Sequence, residues 1–328
     1  MRLCWAPAAL FDWLRSRGLE LLRDWNDDGH RVATYEGEAM LTPVSFKTST
    51  AVGWILIAVT IVVCAAIAIV VHAALPAKVD EELLDGVLVL RFGFPAIAVA
   101  YFLILFAQCS VSVAVSWSTA QTPPLRHGLT LGLAFAVLYI IGVQEIMVET
   151  SPFPAWGSDF VVYQAIIGLG DAIPVIILCA ITGALLANGR PRTAVGHRCS
   201  LAPMLAVTLT VGTVRWAVSA LGVIQNCLAE YPTAVVAWGY LLGLGFGIGY
   251  VLLRRTNQAV NAVVIFGVGL NWLVFNSFIG LVFSGTMADA LLRGAIDAFA
   301  LGLSITLLAK AGRFLSPGTQ AGERAGNG

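Results

Sequence analysis

Long apolar runs, separated by short polar loops, occupy most of the chain between residues 51 and 310. A helix needs about 20 residues to cross a hydrocarbon core of about 30 Å. Eight runs are long enough, and they predict transmembrane helices near 51–75, 92–117, 128–148, 160–187, 202–228, 233–253, 258–283 and 288–310. The predicted fold class is all-α: a polytopic helical membrane protein with about eight transmembrane helices.

The segments on either side of these runs have a different character. In LFDWLRSRGLELLRDW, apolar residues repeat at helical spacing and charged residues take the other faces, which predicts an amphipathic helix in the membrane interface or packed on the cytoplasmic loops. The tail LSPGTQAGERAGNG is Gly-rich and polar. The predicted organisation is a cytoplasmic N-terminal segment over 1–48, an eight-helix domain over 49–312 and a disordered cytoplasmic tail over 313–328.

Composition agrees with a membrane protein, because 58% of the residues are hydrophobic and only 12% are charged. The lipid bilayer is therefore the expected partner. The net charge is zero and the basic residues are dispersed, which argues against nucleic acid as a partner. The six cysteines form no CxxC pair, and the four histidines fall at helix ends or outside the spans. We expect no metal site and no cofactor.

Arginine and lysine are concentrated in alternate loops, and cytoplasmic loops are enriched in these residues. Arg126, the 190–198 loop, Arg254 with Arg255, and Lys310 fall on one side, whereas the opposite loops, such as AKVDEELLDG, are mostly acidic. We expect a multi-pass protein of the plasma membrane with both termini in the cytoplasm.

Ionisable and amide side chains recur inside the predicted spans, where they are costly and indicate either function or internal pairing. Asp171 and Arg215 lie at similar predicted depths in consecutive spans, so we expect an ion pair between them. Asp289, Arg293 and Asp297 follow one another at i, i+4 spacing. Glu145 and Gln144, near the outer end of the third span, could join them. These groups predict a polar cavity in the outer half of the membrane, with candidate binding residues Asp171, Arg215, Asn271, Asn276, Arg293 and Asp297.

The stretch GLGDAIP places two glycines and a proline in the middle of the fourth predicted span. Proline removes a helix donor, and glycine weakens a helix. Gly168, Gly170 and Pro174 therefore predict a helix break beside Asp171, as in transporters that expose backbone groups at the membrane midplane. A proline kink used only for packing is the alternative.

Two short stretches resemble known families. GLGD is similar to the motif of the presenilin and signal peptide peptidase group, and this resemblance implies Asp171 as one catalytic carboxylate, with Asp297 as the second. That group also has a Tyr-Asp pair and a Pro-Ala-Leu motif, which this sequence lacks. GIGYVLLRRTNQAV resembles the CAAX-protease-like family, but the Glu-Glu pair and the membrane histidines of that family are missing at the expected places.

Gly239, Gly243 and Gly247 recur every four residues in WGYLLGLGFGIGY. Such a stripe lets helices approach closely, either within the chain or in a homo-oligomer.

The polar groups in the spans favour a transporter of a small polar or ionic solute, with proton coupling through Asp171 and Asp297. In this hypothesis Arg215 is a counter-ion, and Asn271 and Asn276 are uncharged ligands. The alternatives are an intramembrane aspartyl protease that uses Asp171 and Asp297, and a non-catalytic scaffold or regulatory subunit. The sequence favours a protein that is not an enzyme.

Overall fold

The computed structural model describes residues 51–75, 82, 84–145, 158–186, 201–254 and 260–314, with the side chains of 118, 158–160 and 311–314 excepted. These residues belong to one compact unit. The expectations for the N-terminal segment 1–48, and for the tail beyond Phe314, lie outside the described residues.

The described residues form helices and connecting turns, without a strand, so the predicted all-α class is confirmed. The eighth helix consists of Val260–Ala262, a π-helix over Val263–Gly269 and an α-helix over Leu270–Val282, and we treat it as one element, α8. The helices are α1 (Ala51–Ala74), α2 (Val87–Phe92), α3 (Phe94–Ser116), α4 (Pro124–Gly142), α5 (Ser158–Leu185), α6 (Ala202–Ala220), α7 (Pro232–Arg254), α8 (Val260–Val282) and α9 (Met287–Phe314).

Seven of the described helices are long and apolar enough to cross a membrane, against eight predicted spans. The predicted span 202–228 corresponds to α6, a 19-residue helix that is not among the seven. Arg215 and three threonines lower the hydropathy of α6, and the helix stops where Gly222 takes a φ of 64°. Leu205, Leu209 and Trp216 nevertheless form an exposed apolar stripe along α6.

The two ends of the bundle are defined by contacts between connecting segments. At one end, Asp85 before α2 bonds Ser284 between α8 and α9. The loop after α6 bonds α9 at the same end, through the Gln225 N–H and Asp289. We call this the outer end, after the predicted orientation. At the opposite end, Ser116 at the end of α3 bonds His127 at the start of α4.

The expected helix break at GLGDAIP is not present. Helix α5 continues through Gly168, Gly170 and Pro174 as one α-helix. The glycines serve close packing instead: a Cβ on Gly168 would lie 2.9 Å from the Ile140 Cα of α4, and a Cβ on Gly170 would lie 2.9 Å from the Val71 Cβ of α1. The α-helix thus continues across Pro174, which lacks one backbone donor, and α5 packs closely on two neighbouring helices there.

The irregular backbone lies in α8 rather than in α5. The π-helix over Val263–Gly269 is followed directly by the α-helix that carries Asn271. The side-chain amide of Gln108 donates to the carbonyl oxygen of Gly267 at 3.1 Å. A side chain from α3 thereby bonds a backbone group inside the π-helix, and π-helices are frequent at functional sites.

The glycine stripe of α7 faces α6 of the same chain. A Cβ on Gly243 would lie 2.6 Å from the Thr208 carbonyl oxygen, and one on Gly247 would lie 2.7 Å from the Met204 carbonyl oxygen. A Cβ on Gly239 would lie 3.3 Å from the Arg215 Cβ. Of the two alternatives for Gly239, Gly243 and Gly247, the contacts therefore favour packing within the chain, because α6 covers that stripe. The glycines bring Arg215 close to α7.

Candidate functional site

Five charged side chains form a continuous chain of ion pairs at the outer end of the bundle. Along this chain negative and positive groups alternate, and we call it the charge chain. Each ion pair of the charge chain joins different segments, except that Asp289 and Arg293 are one turn apart on α9. The charge chain runs in the order Asp289, Arg293, Glu145, Arg215, Asp297.

Glu145 is the central member of the charge chain. It follows the end of α4, and its Oε1 accepts from both Arg215 Nη2 and Arg293 Nη1, the latter at 2.9 Å. The side chain of Glu145 is 1% exposed, and that of Arg293 is fully buried. Burying such charges is tolerated only where they are paired, so Glu145 fixes the positions of α6 and α9 relative to α4.

Arg215 contacts two carboxylates and an aromatic ring. Its Nη2 donates to Glu145, and its Nε lies 3.1 Å from Asp297 Oδ1, close enough for an ion pair although the two atoms do not align as a hydrogen bond. The guanidinium also lies over the ring of Trp238, 5.1 Å from its centroid. Arginine suits such a place, because its planar group pairs with carboxylates and stacks on aromatic faces.

Further donors and acceptors hold both ends of the charge chain. Trp272 Nε1 donates to Asp297 Oδ2 at 2.8 Å. At the other end, the Gln225 N–H donates to Asp289 Oδ1 at 2.8 Å, and the Gln225 carbonyl oxygen accepts from Arg293 Nη2. The loop after α6 thus covers the charge chain at the outer end.

Asp171 does not pair with Arg215, contrary to the sequence prediction. Asp171 Oδ1 lies 3.0 Å from His72 Nε2 at the end of α1, while Arg215 pairs with Glu145 and Asp297. Equal depth therefore did not imply contact, because α5 packs on α4 and α1 whereas α6 packs on α7 and α9. The His72 side chain is 33% exposed, which makes this pair the more accessible one.

Asn271 belongs to a second, uncharged network near the middle of the bundle. Its Nδ2 donates to Gln108 Oε1 at 2.5 Å, and its Oδ1 accepts from the Tyr139 hydroxyl at 3.0 Å. Cys109 Sγ lies 3.3 Å from Asn271 Nδ2 and 3.2 Å from the Tyr139 oxygen. The amide of Asn271 is therefore occupied by side chains of α3 and α4, and it joins these helices to α8.

Several buried acceptor atoms beside the charge chain have no hydrogen-bond partner in the described part of the protein. They are Glu145 Oε2, Gln144 Oε1 and Asn276 Oδ1. The Asn276 amide nitrogen bonds the Trp272 carbonyl oxygen, one turn back on α8. Asn276 lies beside α9, since a Cβ on Gly294 would lie 3.5 Å from its Cβ. Buried polar atoms are normally paired, and Trp238 Nε1, a donor beside Arg215, also has no hydrogen-bond partner in the described part of the protein.

The structure thus brings Arg215, Arg293 and Asp297 together, and it places Asn276 beside them. It assigns Asp171 and Asn271 to other networks. Sequence reasoning named Glu145 only as an additional member, although Glu145 is the centre, because its place after the third predicted span did not reveal its two arginine partners. Gln225 was missed because it acts through its backbone, which carries no signal in the sequence.

His127, in the first turn of α4, is fully buried. Its Nε2 lies 2.8 Å from Ser116 Oγ, and its Nδ1 has no hydrogen-bond partner among the described residues. A serine–histidine pair therefore exists within the bundle, without an acidic group on Nδ1 to orient the ring for nucleophilic catalysis.

Within the described ranges, no group of three or more His, Cys, Asp or Glu side chains could hold a metal ion. No protein-family model, curated protein sequence or solved structure matches the chain. The fold and its apolar exterior define the class: this is a multi-pass α-helical membrane protein that lies in a lipid bilayer.

Proposed function

We propose that the protein is a plasma-membrane transporter of a small polar or ionic solute, and that the charge chain, with Asn276, forms its binding site. The observation that carries this proposal is Glu145 Oε2, a buried carboxylate oxygen without a hydrogen-bond partner in the described structure. A cluster that served only to hold helices together would gain stability by pairing this oxygen.

The composition of the charge chain supports the same proposal. Its four most buried side chains comprise two carboxylates and two guanidinium groups, those of Glu145, Asp297, Arg215 and Arg293. Ionisable side chains are costly within a membrane, and in membrane proteins they commonly lie on solute or ion pathways.

The intramembrane aspartyl protease receives less support. Two catalytic aspartates must lie close enough to share a proton. Asp171 is bonded to His72 on α1, whereas Asp297 is held by Arg215 and Trp272. These separate partners favour transport over proteolysis. The scaffold hypothesis is the conclusion to be drawn if the experiment below contradicts transport.

The test is whether water reaches the charge chain from both faces of the membrane. Ser219 is buried one turn beyond Arg215 on α6, and Ser219→Cys introduces a thiol of nearly the same size. A transporter exposes its site to each side in turn, so we expect membrane-impermeant thiol reagents to modify this cysteine both in right-side-out and in inverted vesicles.

Two controls define the background of the labelling experiment. The unmodified chain measures labelling of the native cysteines, and Ser284→Cys, in the exposed turn between α8 and α9, should react from one side only. Modification of Ser219→Cys from one side only, or from neither side, would contradict transport and leave a structural role for the charge chain.

A further inference from the structure

We infer that His72 and Asp171 form a proton-binding site, in which the imidazole takes up and releases one proton near neutral pH while the carboxylate stays ionised. The two residues lie on α1 and α5, and neither belongs to the charge chain. The inference therefore does not rest on the proposed function. It adds the proton as a ligand of the protein, bound on other helices than the proposed solute site.

Asp171 is a carboxylate in apolar surroundings. It lies at the midpoint of the 28-residue helix α5, and its side chain is 5% exposed. An ionised carboxylate inside a membrane span is costly unless a cation compensates it. The partner of Asp171 is His72, whose Nε2 lies 3.0 Å from Asp171 Oδ1. Whether the carboxylate is compensated therefore depends on the charge of one imidazole ring.

The helices around the pair supply no permanent positive charge. Helices α1, α3 and α5 contain no arginine or lysine. In the described structure, the other titratable groups buried in these helices are thiols and phenols, uncharged near neutral pH, and they are Cys64, Tyr101, Cys109 and Cys179. The titratable groups buried on α4, Tyr139 and His127, bond other side chains instead. The pair is therefore neutral only when His72 carries a second ring proton.

The proton reaches the pair through His72. This residue lies in the last turn of α1, and its side chain is 33% exposed. The ring packs on Phe102, with 5.3 Å between the ring centroids, which holds the imidazole beside the carboxylate. The charge of a histidine ordinarily changes between about pH 5 and 8, and Asp and His side chains within membrane spans commonly belong to proton pathways. The site is thus both accessible and able to exchange a proton.

Nitrogen NMR spectroscopy of the purified full-length protein in detergent tests this inference. The imidazole rings of the four histidines are labelled with ¹⁵N, and the ¹⁵N shifts distinguish an imidazolium from a neutral ring. The His72 signal is identified by its loss in His72→Gln. In the unmodified protein, we expect His72 to be an imidazolium at about pH 7 and a neutral ring at about pH 9.

Two variants assign the proton to the pair. Asp171→Asn keeps the size of the side chain but removes its charge, so the imidazolium signal of His72 should be lost at about pH 7. Asp85→Asn removes an exposed carboxylate outside the site and should leave that signal unchanged. The His127 ring bonds Ser116 rather than a carboxylate, so its signal should be the same in all of these proteins.

Three results would overturn the inference. A neutral His72 at about pH 7 in the unmodified protein would show that the imidazole holds no such proton. An imidazolium that persists at about pH 9 would show a fixed ion pair instead of an exchangeable proton. An unchanged imidazolium in Asp171→Asn would show that the carboxylate does not hold the proton.

The first two results need no Asp171 variant, so the inference is testable even if Asp171→Asn cannot be purified. None of the three depends on the labelling of Ser219→Cys. Proton binding at His72 and transport at the charge chain are therefore contradicted by different measurements.

Discussion

At the scale of single residues, Arg215 shows how a buried charge can determine a fold locally. It pairs with Glu145 and Asp297 and lies over Trp238, so four elements or their flanking segments meet at one guanidinium group. Removal of such a group does more than delete its own contacts, because the carboxylates remain buried without compensation.

Arg215→Ala should therefore destabilise the protein strongly. Breaking a buried ion pair by removing one partner costs about 3 to 5 kcal/mol. The control is Arg91→Ala, which changes an exposed arginine on the short helix α2 and should stay within about 0.5 kcal/mol of the unmodified protein. Denaturant-induced unfolding in detergent measures both free energies. Equal losses for the two variants would contradict the pairing described for Arg215.

Double substitutions distinguish the observed pairing from the pairing that the sequence predicted. Arg215→Ala combined with Asp297→Ala should lose less stability than the two single losses added together, since each change removes the charge that the other leaves unpaired. Arg215→Ala combined with Asp171→Ala should be additive within about 0.5 kcal/mol. The reverse pattern in the same unfolding assay would restore the Asp171–Arg215 pair.

Asp85 gives a prediction about pH outside the membrane-spanning helices. The Ser284 hydroxyl donates to Asp85 Oδ2 at 2.6 Å, and the Ser284 N–H donates to Oδ1 at 2.8 Å. These bonds hold the pKa of Asp85 below its usual value of 3.8. Because the pKa is lower in the folded state, the contribution to stability is present above the unfolded pKa and is lost as the pH falls through the folded one.

Asp85→Asn should consequently unfold at a lower temperature than the unmodified protein at neutral pH, by a small margin because the group is exposed. The difference between the two midpoints should shrink as the pH falls below about 3.8, where the native carboxyl also becomes protonated. A difference that grows on acidification would contradict the bonds between Asp85 and Ser284.

At the scale of elements, the sequence indicated where the helices lie but not whether a glycine breaks its helix or lets a neighbouring helix approach. Gly168 and Gly170 indicated an irregular fourth span, and the glycines are indeed special. They allow α5 to approach α4 and α1, whereas the prediction assigned them to a helix break. A glycine that weakens a helix and a glycine that admits a neighbour look the same in one sequence, because the difference lies in the neighbouring helix.

Gly168→Ala should lower the free energy of unfolding by about 1 to 3 kcal/mol through overpacking. Its Cβ would lie 2.9 Å from a backbone atom of α4, so one of the two helices must move. Gly249→Ala is the matched control, because its Cβ would lie 3.5 Å from the Ala134 Cβ, an ordinary contact. Unfolding of both variants in detergent checks the comparison, and an equal or smaller loss for Gly168→Ala would show that α4 and α5 are not closely packed there.

The π-helix in α8 was not predicted, since hydrophobic periodicity over a uniformly apolar run does not distinguish one helical period from another. The π-helix precedes Asn271, whose side-chain amide contacts α3 and α4 only in the observed rotation of α8.

Asn271→Leu should lower the free energy of unfolding by about 1 to 3 kcal/mol, because Gln108 and Tyr139 lose a buried partner. The double variant Asn271→Leu with Tyr139→Phe should recover part of that loss in the unfolding assay. No recovery would mean that the two side chains do not interact.

At the scale of the whole molecule, the sequence predicted the class of the protein and most of its spans. Apolar run length is sufficient for that purpose, because a hydrocarbon core sets a minimum length that few other structures need. The predicted number of spans differs from the seven qualifying helices at α6, where Arg215 and three threonines lie within 19 residues. Arg215 reduces the hydropathy of α6, and it also joins α6 to the end of α4 and to α9 through ion pairs. The residue that makes α6 harder to predict as a span is therefore the one that holds it in the bundle.

The candidate site could be predicted in composition but not in arrangement. Arg215, Arg293 and Asp297 were identifiable because charges inside spans are rare. Glu145 could not be ranked above Asp171 from the sequence. Its two partners, Arg215 on α6 and Arg293 on α9, lie 70 and 148 residues further along the chain. Depth along a helix can be counted from a sequence, whereas the direction in which a side chain points depends on packing.

The most direct test of the central claim is labelling of Ser219→Cys in oriented membrane vesicles, because this residue is buried one turn beyond Arg215 on α6. We expect membrane-impermeant thiol reagents to modify it both in right-side-out and in inverted vesicles, whereas Ser284→Cys should react from one side only. Modification of Ser219→Cys from one side only, or from neither side, would contradict a transport site at the charge chain.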